Sequence, residues 1–191
     1  MPIELFKAVQ LVVMLGFAVL ISDSRRREGA EPLVPTAAVL LLRLIYPIPF
    51  VVYLVVVIRL PEVAARDLLA LALTSTGAFL VARARVDIGR SYTWTGYRSA
   101  RPELVTRGVY GVIRHPIYLG IWLFMAGGTI SVLGRVSLGA HVVAALALVY
   151  IGVFLGVAAV RETQFLASFF GEDFERYRRR VGVVLPTISR Q

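Results

Sequence analysis

Residues 104–120, LVTRGVYGVIRHPIYLG, run without a break into IWLFMAGGTI at 121–130. Arg107, Tyr110, Arg114, His115 and Tyr118 crowd together where an apolar helix begins. Pro116 suits the first helical position, where an N–H has no intrahelical partner to lose. The unpaired N–H groups and positive dipole end of that helix then face a basic, aromatic-lined pocket, an arrangement that suits a carboxylate or phosphate. Ionisable groups at a membrane boundary mark function as a rule.

Working outward, 58% of the 191 residues are hydrophobic and the mean hydropathy is +0.75, above the apolar share of ordinary soluble domains. The pattern predicts an all-α, polytopic membrane bundle of five transmembrane helices forming one domain over 1–191. The spans are expected at about Leu5–Ile21, Val34–Ile58, Val63–Val81, Pro116–Leu133 and Val136–Val160. Pro47 and Pro49 should kink the second. The third should continue toward Asp87, and the fifth should run on as a helix into the tail 161–191. Gly152 and Gly156 in span five, and Gly120, Gly127 and Gly128 in span four, allow close helix approach, so spans four and five are expected to pack together. Without cysteine, and with His115 and His141 as the two histidines, disulfides, thiol catalysis and a His/Cys metal site are excluded. The first apolar run has neither a basic lead nor a small-residue cleavage site and reads as a retained helix.

The net charge of +9 is distributed unevenly. Arg25, Arg26, Arg27, Arg83, Arg85, Arg90, Arg98, Arg101, Arg107 and Arg114 fall in loops one and three, and Arg161, Arg176, Arg178, Arg179, Arg180 and Arg190 in the tail. The opposite side receives Lys7, Arg59, Arg66 and Arg135. The positive-inside rule then predicts an integral protein of a prokaryotic cytoplasmic membrane, with the N-terminus outside and the C-terminus cytoplasmic. Excess arginine is read as topology, and no nucleic-acid partner is expected. Arg176–Arg180 suit anionic membrane lipids, with Arg180 singled out by the motif described next.

Arg114-His115-Pro116-Ile117-Tyr118-Leu119-Gly120, preceded by Leu104-Val105-Thr106 and Gly108-Val109-Tyr110, resembles the signature of the isoprenylcysteine carboxyl methyltransferases and their bacterial relatives. A second block follows at the matching distance: Glu162, Leu166, Phe170-Gly171, Tyr177, Arg180-Val181 and Pro186. The resemblance covers residues 88–186. It implies S-adenosyl-L-methionine as methyl donor, held in a cytoplasmic pocket made by the 89–115 connector, the start of helix four and the tail. It also implies the cofactor-binding residues: Leu104 and Val105 at the adenine, Tyr110 packed on it, His115, Pro116, Ile117 and Tyr118 at the methionine part, and Glu162 from the far side. The family's acceptor-facing arginine falls at Ala158 here. Arg161, one turn on, and Arg43 in span two are the candidates to replace it in catalysis. Pro102, Gly111 and Thr163 also depart from the family pattern.

The implied acceptor is a lipophilic or prenylated molecule: a prenylated thiol acid, a phospholipid amine or a lipid-like hydroxyl. A carboxylate acceptor needs no general base, whereas an amine or phenol would need Glu162, His115 or a tyrosine as proton sink. Two other classes stay open, an NADPH-dependent sterol-reductase-like enzyme and a non-catalytic membrane scaffold. Arg43 is equally readable as a snorkelling side chain, and Tyr92, Trp94 and Tyr97 as an interfacial belt or a substrate rim.

Overall fold

The computed structural model describes residues 1–22, 30–99 and 102–183. Arg25, Arg26, Arg27, Arg101, Pro186 and Arg190, used above, lie outside these residues. Seven α-helices occur among the described residues: α1 (Ile3–Ser22), α2 (Thr36–Ile45), α3 (Pro47–Arg59), α4 (Ala65–Ile88), α5 (Pro116–Val132), α6 (Leu138–Phe170) and α7 (Glu172–Arg180). Two short strands, β1 (Glu31–Pro32) and β2 (Tyr97–Arg98), pair antiparallel and tie the start of α2 to the connector.

Local chemistry sets these boundaries. Pro47 offers no N–H to the carbonyl of Arg43, so the second apolar segment breaks at Tyr46 into α2 and α3. The side chain of Asp67 turns back to accept from the Ala64 N–H (3.0 Å) and opens α4. The Ser137 hydroxyl accepts from Ala140 N at the start of α6, and Gly171 closes that helix at φ +53°.

Four segments are long and apolar enough to cross a membrane: α1, α2 with α3, α4, and α6. The fifth expected span, α5, has 17 residues and rises about 25 Å, short of a hydrocarbon core of about 30 Å. Pro116 starts it late, and the turn at Gly134 (φ +71°) follows its end.

The closest packing joins α5 to α4, not to α6. A Cβ on Gly77 would sit 2.5 Å from the Gly120 carbonyl oxygen and 2.8 Å from Phe124 N. One on Gly127 would lie 2.7 Å from the Ala70 carbonyl oxygen. Glycine on both helices thus lets the backbones touch. In α6, Gly152 receives the Trp122 ring while Gly156 faces open space, so the glycines of span five do not mate with those of span four. Phe17 stacks on Phe124 at 3.7 Å beside Tyr53, Val57 and Val81, which forms the core between α1, α3, α4 and α5.

Several polar groups within the bundle are paired, although the buried Tyr53 hydroxyl has no hydrogen-bond partner. Gln10 donates to the Thr74 hydroxyl (3.2 Å). Fully buried Asp67 accepts from Ser131 (2.8 Å) and from both terminal nitrogens of Arg135, which locks the start of α4 to the end of α5.

The backbone contact gives a clear expectation. Gly77→Ala will lower the thermal midpoint of the detergent-solubilised protein by several degrees, because neighbouring backbone must move. Gly16→Ala, where nothing lies within 4 Å, will leave the midpoint unchanged or raise it slightly. Equal melting of the two variants would contradict the tight α4–α5 contact.

Candidate functional site

Three segments converge at the Pro116 end of α5. The first is the end of α4, where buried Asp87 pairs with Arg83 (2.8 Å) and accepts from the Val109 N–H (2.9 Å). Gly108 lies against that carboxylate at φ +58°, so a side chain there would be excluded by both space and backbone conformation. This anchor starts the 3-10 turn Gly108–Gly111, which carries Tyr110.

The second segment is the returning tail. The Tyr177 hydroxyl donates to the Tyr110 carbonyl (2.7 Å). Ile113 and Gly182 form a parallel bridge. The backbone N–H groups of Arg114 and His115 donate to the carbonyls of Gly182 (2.8 Å) and Val183 (3.1 Å), and Arg114 Nε donates to the Val181 carbonyl (3.1 Å). The third segment is α6, which supplies Glu162 and Thr163.

The polar centre is compact. Buried His115 stacks on Tyr118 with ring centroids 5.3 Å apart. Its Nδ1 lies 3.5 Å from Glu162 Oε2, and its Nε2 lies 3.3 Å from the Thr163 hydroxyl. The Tyr118 hydroxyl donates to the same Glu162 oxygen (3.1 Å). Two adjoining cavities open here, sharing Tyr110, Arg114, His115 and Glu162. Leu104 and Val105 line one, and Pro116, Ile117 and Tyr118 line the other. All the cofactor-binding candidates from the sequence therefore meet around one polar space. Burial holds the Tyr110 phenol well above the usual range, with the Glu162 carboxylate adding to the effect. Burial also pushes Tyr177 up to about 12, against the opposing charge of Arg114.

The two arginine candidates part company. Neither lines a polar cavity, but Arg161 is exposed while Arg43 is half-buried. Arg43, in the last turn of α2, stacks its guanidinium 4.7 Å above the ring of Trp94, which lines the polar cavity beside Tyr118 and Glu162. The Nε of Arg43 is buried without a hydrogen-bond partner. Ala158 is completely buried in the apolar cluster of Val39, Leu42, Ile151, Phe154 and Leu155.

A separate, partly open chamber of about 240 Å³ lies between α1, α3, α5 and α6. Phe17, Tyr46, Phe50, Ile121, Met125 and Ala144 are among its walls. Its surface is almost wholly apolar, which suits hydrocarbon.

Residues beyond the sequence candidates also take part. Arg114 lines both polar cavities, and its place in the Arg-His-Pro run was the available signal. Thr163 was noted only as a departure from a family pattern, yet its hydroxyl faces His115. Asp87 sits 22 positions before the backbone N–H it receives, and no local pattern connects them.

A family model described as phospholipid methyltransferase matches residues 65–173. Protein-S-isoprenylcysteine O-methyltransferase from Schizosaccharomyces pombe is 31% identical over 121 residues, 62% of this chain and 49% of that protein. Protein-S-isoprenylcysteine O-methyltransferase B from Arabidopsis thaliana is 29% identical over 59% of this chain and 55% of its own length. Methanethiol S-methyltransferase 1 from Bradyrhizobium diazoefficiens is 30% identical over 48% of this chain and 29% of its own. The chain thus spans about half the length, or less, of the curated relatives it matches.

The tail contact is testable through its phenol. Tyr177→Phe leaves the buried Tyr110 carbonyl unpaired and should cost about 1–3 kcal/mol in a denaturant titration. In the folded protein the Tyr177 phenol keeps its proton above the pH where an unfolded tyrosine loses it. Its contribution is therefore complete below about pH 10 and lost as pH rises toward about 12. Unfolding of the wild type should grow easier across that window, and Tyr177→Phe should show a smaller slope. Equal slopes would detach Tyr177 from this role.

Proposed function

The chain belongs to the phospholipid methyltransferase family, with isoprenylcysteine carboxyl methyltransferases among its relatives, and from that membership we propose an S-adenosylmethionine-dependent methyltransferase acting on a lipophilic acceptor. The observation that carries this reading is the convergence of Tyr110, Arg114, His115, Tyr118 and Glu162 on one polar space beside the apolar bundle. Their chemistry fits the donor. Its carboxylate suits Arg114 and its ammonium suits Glu162, while adenine and sulfonium suit the faces of Tyr110, Tyr118 and their aromatic neighbours. Leu104 and Val105 bring backbone and apolar surface to the same space.

When bound, S-adenosylmethionine supplies a methyl group on a positively charged sulfur, which an ionised acceptor takes in line while the bonding electron pair returns to sulfur. The protein's part is to orient the acceptor and exclude water. The cation of Arg43, over Trp94 at the cavity edge, steadies an anionic acceptor head. An acceptor that is already a carboxylate or thiolate needs no base. One that arrives protonated can pass its proton to His115 Nδ1, where Glu162 stabilises the resulting charge. The hydrocarbon of the acceptor occupies the apolar chamber between α1, α3, α5 and α6.

Orientation follows from the charge asymmetry. We infer five spans, with α5 completing the bundle, the polar site on the cytoplasmic face and the N-terminus outside. Accessibility labelling should reach a tag at Met1 from outside the cell and a tag at Gln191 only after permeabilisation. Finding both tags on one side would sink the five-span topology.

The chemistry is tested by separating cofactor from acceptor. S-adenosylhomocysteine, and not NADPH, should raise the thermal midpoint of the purified protein. His115→Ala and Glu162→Ala should each weaken S-adenosylhomocysteine binding by about 1–3 kcal/mol in calorimetry. Arg43→Gln should lower kcat/KM for a lipophilic acceptor at least tenfold while cofactor affinity holds, whereas Arg161→Gln should change neither. Stabilisation by NADPH alone would replace this reading with a reductase. A fully active Arg43→Gln would point to a neutral acceptor.

A further inference from the structure

The connector segment 93–99 runs along the polar site, where Thr93 and Tyr97 line both cavities. Its turn is pinned to the bundle. The Trp94 indole N–H donates to the carbonyl of Ile21 (2.9 Å), and the Thr93 hydroxyl donates to the Tyr97 carbonyl (2.8 Å). Gly96, at φ +86°, rests on the apolar wall of Val34, Phe154 and Ala158, where a Cβ would lie 3.0 Å from both Val34 and Phe154. Arg98, just past this turn, is held by side chains instead. Its Nη2 pairs with the Glu31 carboxylate of β1, and its guanidinium lies 4.7 Å from the centre of the Phe165 ring on α6. Glu31 and Arg98 also face each other in the β1–β2 pairing, a ladder too short to be stable by itself. Arg98 and Phe165 line the cavity that holds Leu104, Val105 and Tyr110. The Arg98 side chain is 37% exposed and that of Glu31 60% exposed, so their contact stands where this cavity meets solvent.

We propose that Arg98 is a positioning residue of the cofactor site, a clasp that closes segment 93–99 over the cavity by joining β1 to α6. The inference rests on the methyltransferase reading for what occupies the cavity. Two physical reasons support it. The polar cavities hold about 80 and 60 Å³. Ligand pockets begin at about 300 Å³, so a nucleoside-sized molecule requires the walls to part. The clasp is also built to open. An exposed ion pair and an exposed cation–π contact are each weak, yet both act through one guanidinium and are lost together. Removing both raises the open fraction about five- to tenfold.

The test reads the opening itself. The chain has no cysteine, so a single Leu166→Cys on the wall of the same cavity reports access. Its reaction with a charged methanethiosulfonate reagent is timed on the full-length protein in detergent. Adding Arg98→Ala should speed labelling about fivefold or more. Glu31→Ala, which removes the ion pair and spares the ring contact, should speed it about two- to threefold. Arg98→Lys keeps a cation for both partners and should stay within about twofold of the parent. Val57→Cys, buried in the bundle core, should stay unlabelled with or without Arg98→Ala. In stopped-flow, S-adenosylhomocysteine should enter and leave Arg98→Ala faster by similar factors, so that Kd moves less than either rate. Labelling of Leu166→Cys at the parental rate in Arg98→Ala overturns the proposal. So does labelling of Val57→Cys in that variant, the mark of general loosening. Faster release with unchanged entry also overturns it, since that is the behaviour of a direct ligand contact. If Arg98→Ala does not fold, Glu31→Ala decides, and an unchanged rate there removes the clasp. If S-adenosylhomocysteine neither binds nor slows labelling while Arg98→Ala still speeds it, the methyltransferase reading fails and the clasp stands.

Discussion

Two backbone hydrogen bonds hold this site together. A helix that begins with proline has its first residue set by ring geometry, and it holds the residue before only by the carbonyl, which in His115 accepts from Leu119 N (3.1 Å). Arg114 and His115 stand in that position, and their N–H groups are taken by Gly182 and Val183 of the returning tail. The Arg114 side chain repeats the tie through Val181. His115 can then meet Glu162 and Thr163 from α6 at fixed distances, because tail and α6 belong to one continuous helical hairpin through Gly171. Without the tail pairing, the start of α5 would carry the same residues with no defined direction.

A second constraint works through small residues. The touching backbones of α4 and α5 at Gly77, Gly120 and Gly127 fix the height of α5 relative to the end of α4. Asp87 at that end then reaches the Val109 N–H and seats the turn that presents Tyr110. Position thus passes from helix packing in lipid, where van der Waals contact dominates, to a polar turn outside it. Tyr110 is gripped from opposite sides, by the Asp87 anchor before it and by Tyr177 at its carbonyl.

How much of this was legible depended on the range of the interaction. Proline and glycine act on their own backbone, so the break at Pro47, the start at Pro116 and the continuation of α6 past Val160 were readable. The motif residues around the polar cavity were readable through resemblance, since two sequence blocks kept their order and spacing. The partner of α5 was not. A glycine stripe tells which face of a helix can come close to another, but not which helix fills it, and Trp122 settles against Gly152 where a backbone contact was expected. The chamber was also hidden, because its walls come from four helices far apart in the sequence. Thr163 and Asp87 act across long sequence separations, which a single chain does not reveal.

The placement of Arg43 follows from the helix break at Tyr46. Relatives of this type are expected to carry an arginine at the position of Ala158, on α6. Here Ala158 is sealed within the apolar wall, where an unpaired cation would be costly. Under the proposed reading, a cation for the acceptor comes from another element. The helix break at Tyr46 ends α2 one turn after Arg43, so its side chain can lie along the wall with the stem among apolar neighbours and the charge over the Trp94 face. An aromatic face compensates part of the lost hydration without neutralising the charge, and Nε remains without a partner. A guanidinium held this way is still able to accept an anion, which one tied to a carboxylate would not be. Arg161, by contrast, is exposed, and Arg43 is the candidate whose guanidinium lies against a residue that lines the polar cavity, Trp94.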